Sequence, residues 1–293
     1  MDKTLEIYGK ASLDYLQIED KIKKGCKQLE LHLGREWCIN GVPQSIDNVC
    51  PDWKNLVEMI DIKVVHIPMV QENIEFLLDK VKIKLLNETF KLANTIGEIY
   101  NHKVLVVVHT ESNYELLEEV ENLLPYIKKK VLSLLDMYPN VELGIENVSP
   151  IQVVRGDLRL RGGIIDDNIR LVEYINSDRV GTVFDVCHAK ITEMYLKSLN
   201  VYNIFENYDL RKLMKLNKDY VKLIHLATFE GSGYGKGHGI GFTDKSEMME
   251  FVKLYKELGL NCPITLEVAE VDYLESKSYV LTRKLLEECW NEI

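Results

Sequence analysis

The sequence lacks the features that mark a membrane-spanning, secreted or disulfide-stabilised protein. Its 293 residues contain no run of eighteen apolar residues, and the first residues (MDKTLEIYGKAS) include no apolar stretch of the kind that directs secretion. The six cysteines are scattered without a CxxC pair, a pattern that favours reduced thiols serving as packing residues. From these absences we expect a cytoplasmic protein.

Positive charge and phosphate-binding motifs are also scarce. Lysine and arginine number 36 against 46 acidic residues, and the net charge of −10 disfavours broad attraction to nucleic acid. The glycine-rich stretch after His225, ATFEGSGYGKGHGIGFTD, matches neither GxxxxGK(S/T) nor a GxGxxG that follows a strand and opens a helix. We interpret it as a mobile active-site loop that brings His238 to the metal centre described below.

Short β-branched runs alternate with longer amphipathic segments along the whole chain. The runs predict eight strands, near residues 4–8, 27–33, 62–67, 103–109, 141–146, 180–185, 220–226 and 263–268. The segments between them carry apolar residues at intervals of three and four, as helices packed outside a barrel require. This alternation predicts a (β/α)₈ TIM barrel forming one domain over residues 1–293, with a doubly wound open sheet as the alternative.

Six of these runs end on a single histidine or acidic residue: His66, His109, Glu146, Asp185, His225 and Glu267. Taken alone, each fits a hydrogen-bonded core histidine or a carboxylate at a strand end. Six at the same relative position, about one βα unit apart, predict a site at the C-terminal rim of the barrel. A shared Zn²⁺ or Mn²⁺ ion offsets the cost of removing such groups from water.

The residues Glu146, Asp185, His225 and Glu267 supply three carboxylates and one imidazole. This set suits zinc or manganese, and also magnesium or cobalt, without identifying the metal. If Glu146 and Glu267 flank a hydroxy-carbonyl substrate, one removes a proton from carbon and the other returns it. Alternatively, an ion-activated water attacks a phosphodiester, with additional ions held by His66 and His109.

The stretch after Glu146, NVSPIQVVRGDLRLRGG, is unusually long and carries Arg155, Arg159 and Arg161. In a barrel it hangs over the rim that holds the metal, where guanidinium groups bind a phosphate or carboxylate of the substrate. The alternative, which is equally supported, is a solvent-exposed surface loop whose arginines bind no substrate.

Three further residues are expected near the same rim. His188 follows Asp185 by three residues, so a helix that begins just after Asp185 lets both face one cavity. Glu30 and His32 alternate on one strand and therefore face the same way, either lining the pocket bottom or ending a partly exposed strand.

At these residues the chain resembles the xylose isomerase-like barrel superfamily, over nearly its whole length. That superfamily includes sugar and sugar-phosphate isomerases and epimerases, inositol-catabolism enzymes and endonuclease IV. The motifs that carry the resemblance are, in order, the HIP of His66, the VVVH of His109, the GIEN of Glu146, the FDVCHA of Asp185, the IHL of His225, the GHGIG of His238 and the TLEV of Glu267.

The resemblance to the epimerase-like members implies a single metal. Its ligands are matched here by Glu146, Asp185, His225 and Glu267, with the two glutamates transferring protons and His188 near the substrate. The arginine that those members carry shortly after the His225 position is absent from the following LATFEGSG.

The resemblance to endonuclease IV implies a cluster of three zinc ions. Its ligands are matched here by His66, His109, Glu146, Asp185, His188, His225, His238 and Glu267. Where that enzyme has Asp-x-His, this chain has Lys236-Gly237-His238. Because an ammonium group cannot bind a cation, we expect the third ion to be weakly held or absent.

The first hypothesis is a metal-dependent isomerase or epimerase of a small sugar, sugar phosphate or polyol, with Glu146, Glu267 and His188 as catalytic residues. Its substrate contacts are expected at His66, His109, Arg155, Arg159 and His238. The alternatives are an endonuclease IV-like phosphodiesterase and a barrel that binds a sugar or metal without turnover. We expect a small sugar or sugar phosphate as partner and no membrane, and the charge disfavours nucleic acid without excluding it. The sequence does not give the oligomeric state, for which a homodimer formed through the outer helices is one option.

Overall fold

The computed structural model describes residues 5–39, 42–68, 80–109, 117–148, 153–154, 157–158, 165–198, 209–231 and 237–293. Within these ranges eight parallel strands close into a barrel in which each strand pairs with the next along the chain and the last pairs with the first. The strands are β1 (Ile7–Ser12), β2 (Gln28–His32), β3 (Asp61–His66), β4 (Val104–His109), β5 (Val141–Glu146), β6 (Val180–Asp185), β7 (Val221–His225) and β8 (Ile264–Thr265). The predicted TIM barrel is confirmed, and the open sheet is wrong because β1 pairs with β8.

Helices connect the strands on the outside of the barrel. In chain order they are α1 (Tyr15–Lys23), α2 (Ile46–Val49), α3 (Trp53–Val57), α4 (Lys80–Tyr100), α5 (Leu117–Met137), α6 (Ile165–Ile175), α7 (Val186–Ser198), α8 (Leu210–Asn217), α9 (Lys245–Glu257) and α10 (Lys277–Glu292). Asp14, Asp209 and Asp244 begin α1, α8 and α9 by accepting hydrogen bonds from backbone N–H groups of the first turn. None of the helices in the described ranges is long and apolar enough to cross a bilayer.

The barrel interior is built in layers because strand side chains alternate between its two faces. A small apolar cluster combines Tyr8, Val64, Leu105, Val107, Val183 and Leu223, separately from the larger core between strands and helices. Two residues further along the same strands stand Lys10, His66, His109, Asp185 and His225. The alternation therefore places a charged layer directly above an apolar one, on the same face of each strand.

The first and last strands differ from the sequence-based prediction. The apolar run LEIY predicted a strand near residues 4–8, but β1 extends over Ile7–Ser12 and includes Lys10. A largely buried lysine is tolerated there because its ammonium forms ion pairs with Glu30 and Glu267. At the other end of the chain, β8 is limited to Ile264–Thr265, so Glu267 lies just beyond the strand.

Arg179, immediately before β6, ties the end of α5 to the barrel. Its guanidinium donates to the backbone carbonyls of Leu135 (2.7 Å), Tyr138 (2.6 Å) and Val141 (3.0 Å). Leu135 lies in the last turn of α5 and Tyr138 directly follows the helix, where carbonyl groups lack partners within the helix, while Val141 begins β5.

We predict that Arg179→Ala lowers the free energy of unfolding by about 2–3 kcal/mol, since several charge-assisted hydrogen bonds are lost together. Urea unfolding followed by circular dichroism measures this change. The matched control is Arg211→Ala, which removes an exposed ion pair with Glu257 and should cost less than about 1 kcal/mol. Equal losses in the two variants would contradict the structural role of Arg179.

Candidate metal centre

The strand ends bring the predicted side chains together at one rim of the barrel. His66, His109, Glu146, Asp185 and His225 are the last residues of β3 to β7, and all five are buried. Glu267 follows β8 by two residues, and its side chain keeps 24% of its surface exposed. These six residues offer ligand atoms in two groups that share Glu146.

The first group, called the four-ligand group below, contains Glu146, Asp185, His225 and Glu267. Its ligand atoms all lie within 4.8 Å of one another. Nδ1 of His225 lies 3.2 Å from Oε1 of Glu146 and 2.5 Å from Oε2 of Glu267. It lies 4.0 Å from Oδ2 of Asp185. An imidazole nitrogen among three carboxylates is a donor set that divalent zinc or manganese accepts.

The second group, called the histidine group below, contains His66, His109 and Glu146. Nε2 of His66 and Nε2 of His109 each lie 3.1 Å from Oε2 of Glu146. Nδ1 of His66 lies 2.9 Å from the carbonyl oxygen of Ile67 and must donate to it. A neutral His66 therefore turns the lone pair of Nε2 toward the carboxylate, and a cation between them satisfies both atoms.

A hydrogen bond also fixes the tautomer of His225, but here the donor is Nε2 of the ring. Nε2 lies 2.9 Å from Oε2 of Glu30, a fully buried carboxylate that can only accept a hydrogen bond. Nδ1 of a neutral His225 is thus free to bind a cation, in the carboxylate–histidine–metal arrangement common in metal sites. Glu30 was expected either to line the bottom of the pocket or to end a partly exposed strand; the second alternative is wrong, because Glu30 is fully buried beneath the four-ligand group.

The electrostatics of the centre favour a bound cation. Burial raises the pKa of Asp185 to about 7, with help from the nearby charges of Glu146 and Glu267. Burial alone lowers the pKa of His225. The carboxylates of Glu30, Glu267 and Glu146 outweigh burial and hold that pKa well above its usual range. Oε2 of Glu267 is buried, with Nδ1 of His225 2.5 Å away. The residues therefore fit a divalent ion, which would replace these protons.

The carboxylate of Glu146 is held in its ionised form and faces both groups. Burial raises its pKa, but His225 and His109 outweigh burial and hold the pKa well below its usual range. Oε1 faces the four-ligand group and Oε2 faces the histidine group. One carboxylate oxygen is thus offered to each group.

The other two predicted histidines lie beside the centre, outside both groups. Helix α7 begins directly after Asp185, and Nδ1 of His188 donates to the carbonyl of Asn147 at 2.8 Å and lies 3.5 Å from Oε1 of Glu146. The ring of His238 stacks on that of His188, with 4.8 Å between centroids. A two-stranded ribbon of Thr228–Phe229 and His238–Ile240 carries His238.

Some of the predicted residues cannot be placed, and one residue was missed. Arg155, Arg159, Arg161 and Lys236 lie outside the described residues. Lys10 was not predicted at all, yet its ammonium forms ion pairs with Glu267 and with Glu30. Because residues of one strand that are two positions apart face the same way, Lys10 would have been expected to follow Tyr8 into the barrel. The predicted strand ended at residue 8, so this relation was not visible.

Comparisons with known proteins support the fold. No protein-family model and no protein of curated function matches the sequence. A D-tagatose 3-epimerase-like protein is 19% identical with a TM-score of 0.62, over 97% of this chain and 98% of its own. The IolI protein with a bound zinc atom is 12% identical with a TM-score of 0.66, over 98% of this chain and 99% of its own. An AP endonuclease of family 2 from Brucella melitensis is 11% identical with a TM-score of 0.58, over 93% of this chain and 96% of its own.

These structural neighbours are xylose isomerase-like TIM barrels, so the resemblance drawn from the sequence motifs is confirmed at the level of the fold. These neighbours include both sugar epimerases and an endonuclease. At 11–19% identity the likeness establishes the barrel, and the reaction must be argued from the residues of this chain.

The pKa shifts predict how pH affects the stability that a metal ion confers. Folding raises the pKa of both His225 and Asp185, so the stability they give the metal-free protein is present at low pH and lost as pH rises through their folded pKa values. A bound ion instead requires both groups without protons, so its stabilising effect grows with pH.

We therefore predict that the difference in unfolding free energy between zinc-loaded and chelator-treated protein widens from pH about 6 to pH about 8. Urea unfolding with and without chelator measures this difference at each pH. A constant difference would show that the ion displaces no protons, and would argue against binding at these residues.

Proposed function

We propose that the protein is a divalent-metal-dependent enzyme that hydrolyses a phosphoester of a small, sugar-like molecule at a centre for two ions. The observation that carries the proposal is the sharing of Glu146 between the four-ligand group and the histidine group. A carboxylate with one oxygen in each of two ligand groups is suited to bridge a pair of ions. Zinc is the first metal to test, because imidazole and carboxylate ligands suit it.

Each group of residues has a defined task in this proposal. His66 and His109 would hold one ion, Asp185, His225 and Glu267 would hold the other, and Glu146 would serve both. A pair of bound divalent ions supplies positive charge for the phosphoryl oxygens and lowers the pKa of water. His188, whose Nδ1 donates to Asn147, turns Nε2 away as an acceptor. We assign it the role of holding a proton or a hydroxyl group of the substrate, with His238 stacked beside it.

The same geometry argues against the isomerase hypothesis that the sequence alone favoured. Proton transfer from carbon requires one oxygen of Glu146 to be free and basic. Oε2 of Glu146 instead faces His66 and His109, and the pKa of this carboxylate lies well below its usual range. Such a group binds cations better than it accepts protons.

An isomerase or epimerase of a small sugar remains the second candidate, on a specific observation. Glu146 and Glu267 both contact Nδ1 of His225, at 3.2 Å and 2.5 Å, so the two glutamates lie at a common centre. A D-tagatose 3-epimerase-like protein and an L-ribulose 3-epimerase share the fold. In this case one ion is bound, and the substrate exchanges a carbon-bound hydrogen with solvent.

The number of bound ions is the first test. We predict about two zinc ions per chain for protein purified without chelator or metal-binding tag, and about one for His109→Gln, because only the histidine group is broken. Elemental analysis measures both values. His102→Gln is the matched control, since His102 pairs with Asp61 at the start of β3, at the opposite rim. One ion in the wild type, unchanged in His109→Gln, would favour the epimerase.

The reaction is tested with a panel of small sugar phosphates. We predict phosphate release by the zinc-loaded protein and a loss of about 100-fold or more in Glu146→Gln, because both ions lose a ligand. Glu142→Gln, on the same strand four residues before Glu146 and paired with Lys222 away from the centre, should retain activity.

Two other outcomes would overturn this assignment. Deuterium uptake from D₂O into a free sugar, without phosphate release, would identify the epimerase. Binding of a sugar or sugar phosphate without any conversion would identify a barrel that only binds its ligand.

A further inference from the structure

Lys10 lies in the charged layer of the barrel and contacts two carboxylates at once. Its Nζ forms an ion pair with Oε1 of Glu267 and lies 3.2 Å from Oε1 of Glu30. The lysine side chain retains 14% of its surface, and that of Glu30 retains none. A lysine so nearly buried on a barrel strand needs both partners to offset its desolvation.

The two contacts connect Lys10 to the four-ligand group by separate routes. The direct route fixes Oε1 of Glu267, which leaves Oε2 turned toward Nδ1 of His225 at 2.5 Å. The indirect route runs through Glu30, whose other oxygen accepts the hydrogen bond from Nε2 of His225 at 2.9 Å. Lys10, Glu30, His225 and Glu267 thus form a closed ring of contacts.

We propose that Lys10 is a positioning residue for the metal centre, which orients Glu267 directly and His225 through Glu30. The proposal rests on the proposed metal-dependent function, because its effect is exerted on an ion in the four-ligand group. Lys10 touches no residue of the histidine group in the part of the chain that the structure describes. Its contacts therefore bear on the four-ligand group, although its charge also reaches His66 and, after burial, helps to lower the pKa of that histidine.

A charge effect and a positioning effect must be separated in the test. Removing Lys10 alone also removes a positive charge close to the ion, which by itself strengthens cation binding. The double variant Lys10→Met/Glu30→Gln removes the buried pair without changing the net charge. A change in metal affinity in this variant then reports lost orientation of the ligands.

We expect the double variant to bind zinc in the four-ligand group about 10- to 100-fold more weakly, the usual effect of losing partners of metal ligands. Titration of metal-free protein with zinc against a competing chelator measures the affinity. In the Co²⁺-loaded protein, the visible absorption of the ion in this group should shift because its ligand geometry changes. The His66, His109 and Glu146 site should keep its affinity.

The matched control is Lys63→Met/Asp61→Asn, which removes a partly exposed lysine–carboxylate pair from β3, at 2.9 Å, without changing the net charge. If the Lys10→Met/Glu30→Gln variant fails to fold, the single variant Glu30→Gln is tested instead. It keeps the shape of the side chain and should still shift the Co²⁺ spectrum, because it breaks the ring of contacts at one point. Unchanged affinity and an unchanged spectrum in the folded variants would overturn the role of Lys10. Failure of the wild type to bind any ion would instead overturn the proposed function.

Discussion

The structure depends on the burial of several carboxylates in one layer of a closed barrel. Glu30 and Glu146 are fully inaccessible and Asp185 nearly so, and such groups leave water only when opposite charge or hydrogen-bond donors surround them. Lys10 and the histidines supply part of that compensation. The raised pKa values of Asp185 and His225 show that the compensation is incomplete without a further cation. The electrostatics of the fold itself therefore favour a divalent cation at this layer.

The barrel creates this layer by simple geometry. Parallel strands place alternate side chains inward, so the residues that follow an apolar interior layer by two positions meet at the same height. Val64 is followed by His66 and Val183 by Asp185, and both polar residues end their strands. Helix α7 begins at once after β6 and turns His188 toward the same rim. Shifting any one of these strands by one residue along its whole length would turn its polar side chain to the outer face.

Much of the candidate site was predictable because each candidate ligand ends an apolar, β-branched run, a signal carried by neighbouring residues alone. His66, His109, Glu146, Asp185 and His225 were all located in this way, together with the barrel. Lys10 was not, because a lysine after a glycine looks like a strand end, and only its distant partners Glu30 and Glu267 explain its burial. The sharing of Glu146 between two groups was equally hidden, because it depends on which way each oxygen points. This sharing of Glu146 is the reason that we prefer hydrolysis to proton transfer as the reaction.

The central claim is that Glu146 bridges two ions. Anomalous diffraction from crystals of zinc-loaded protein, collected above and below the zinc absorption edge, tests it most directly. We predict two anomalous peaks, one on each side of the Glu146 carboxylate. One peak lies next to His66 and His109, and the other lies among Asp185, His225 and Glu267. A single peak in the four-ligand group, with Oε2 of Glu146 bound only to imidazole, would contradict the account.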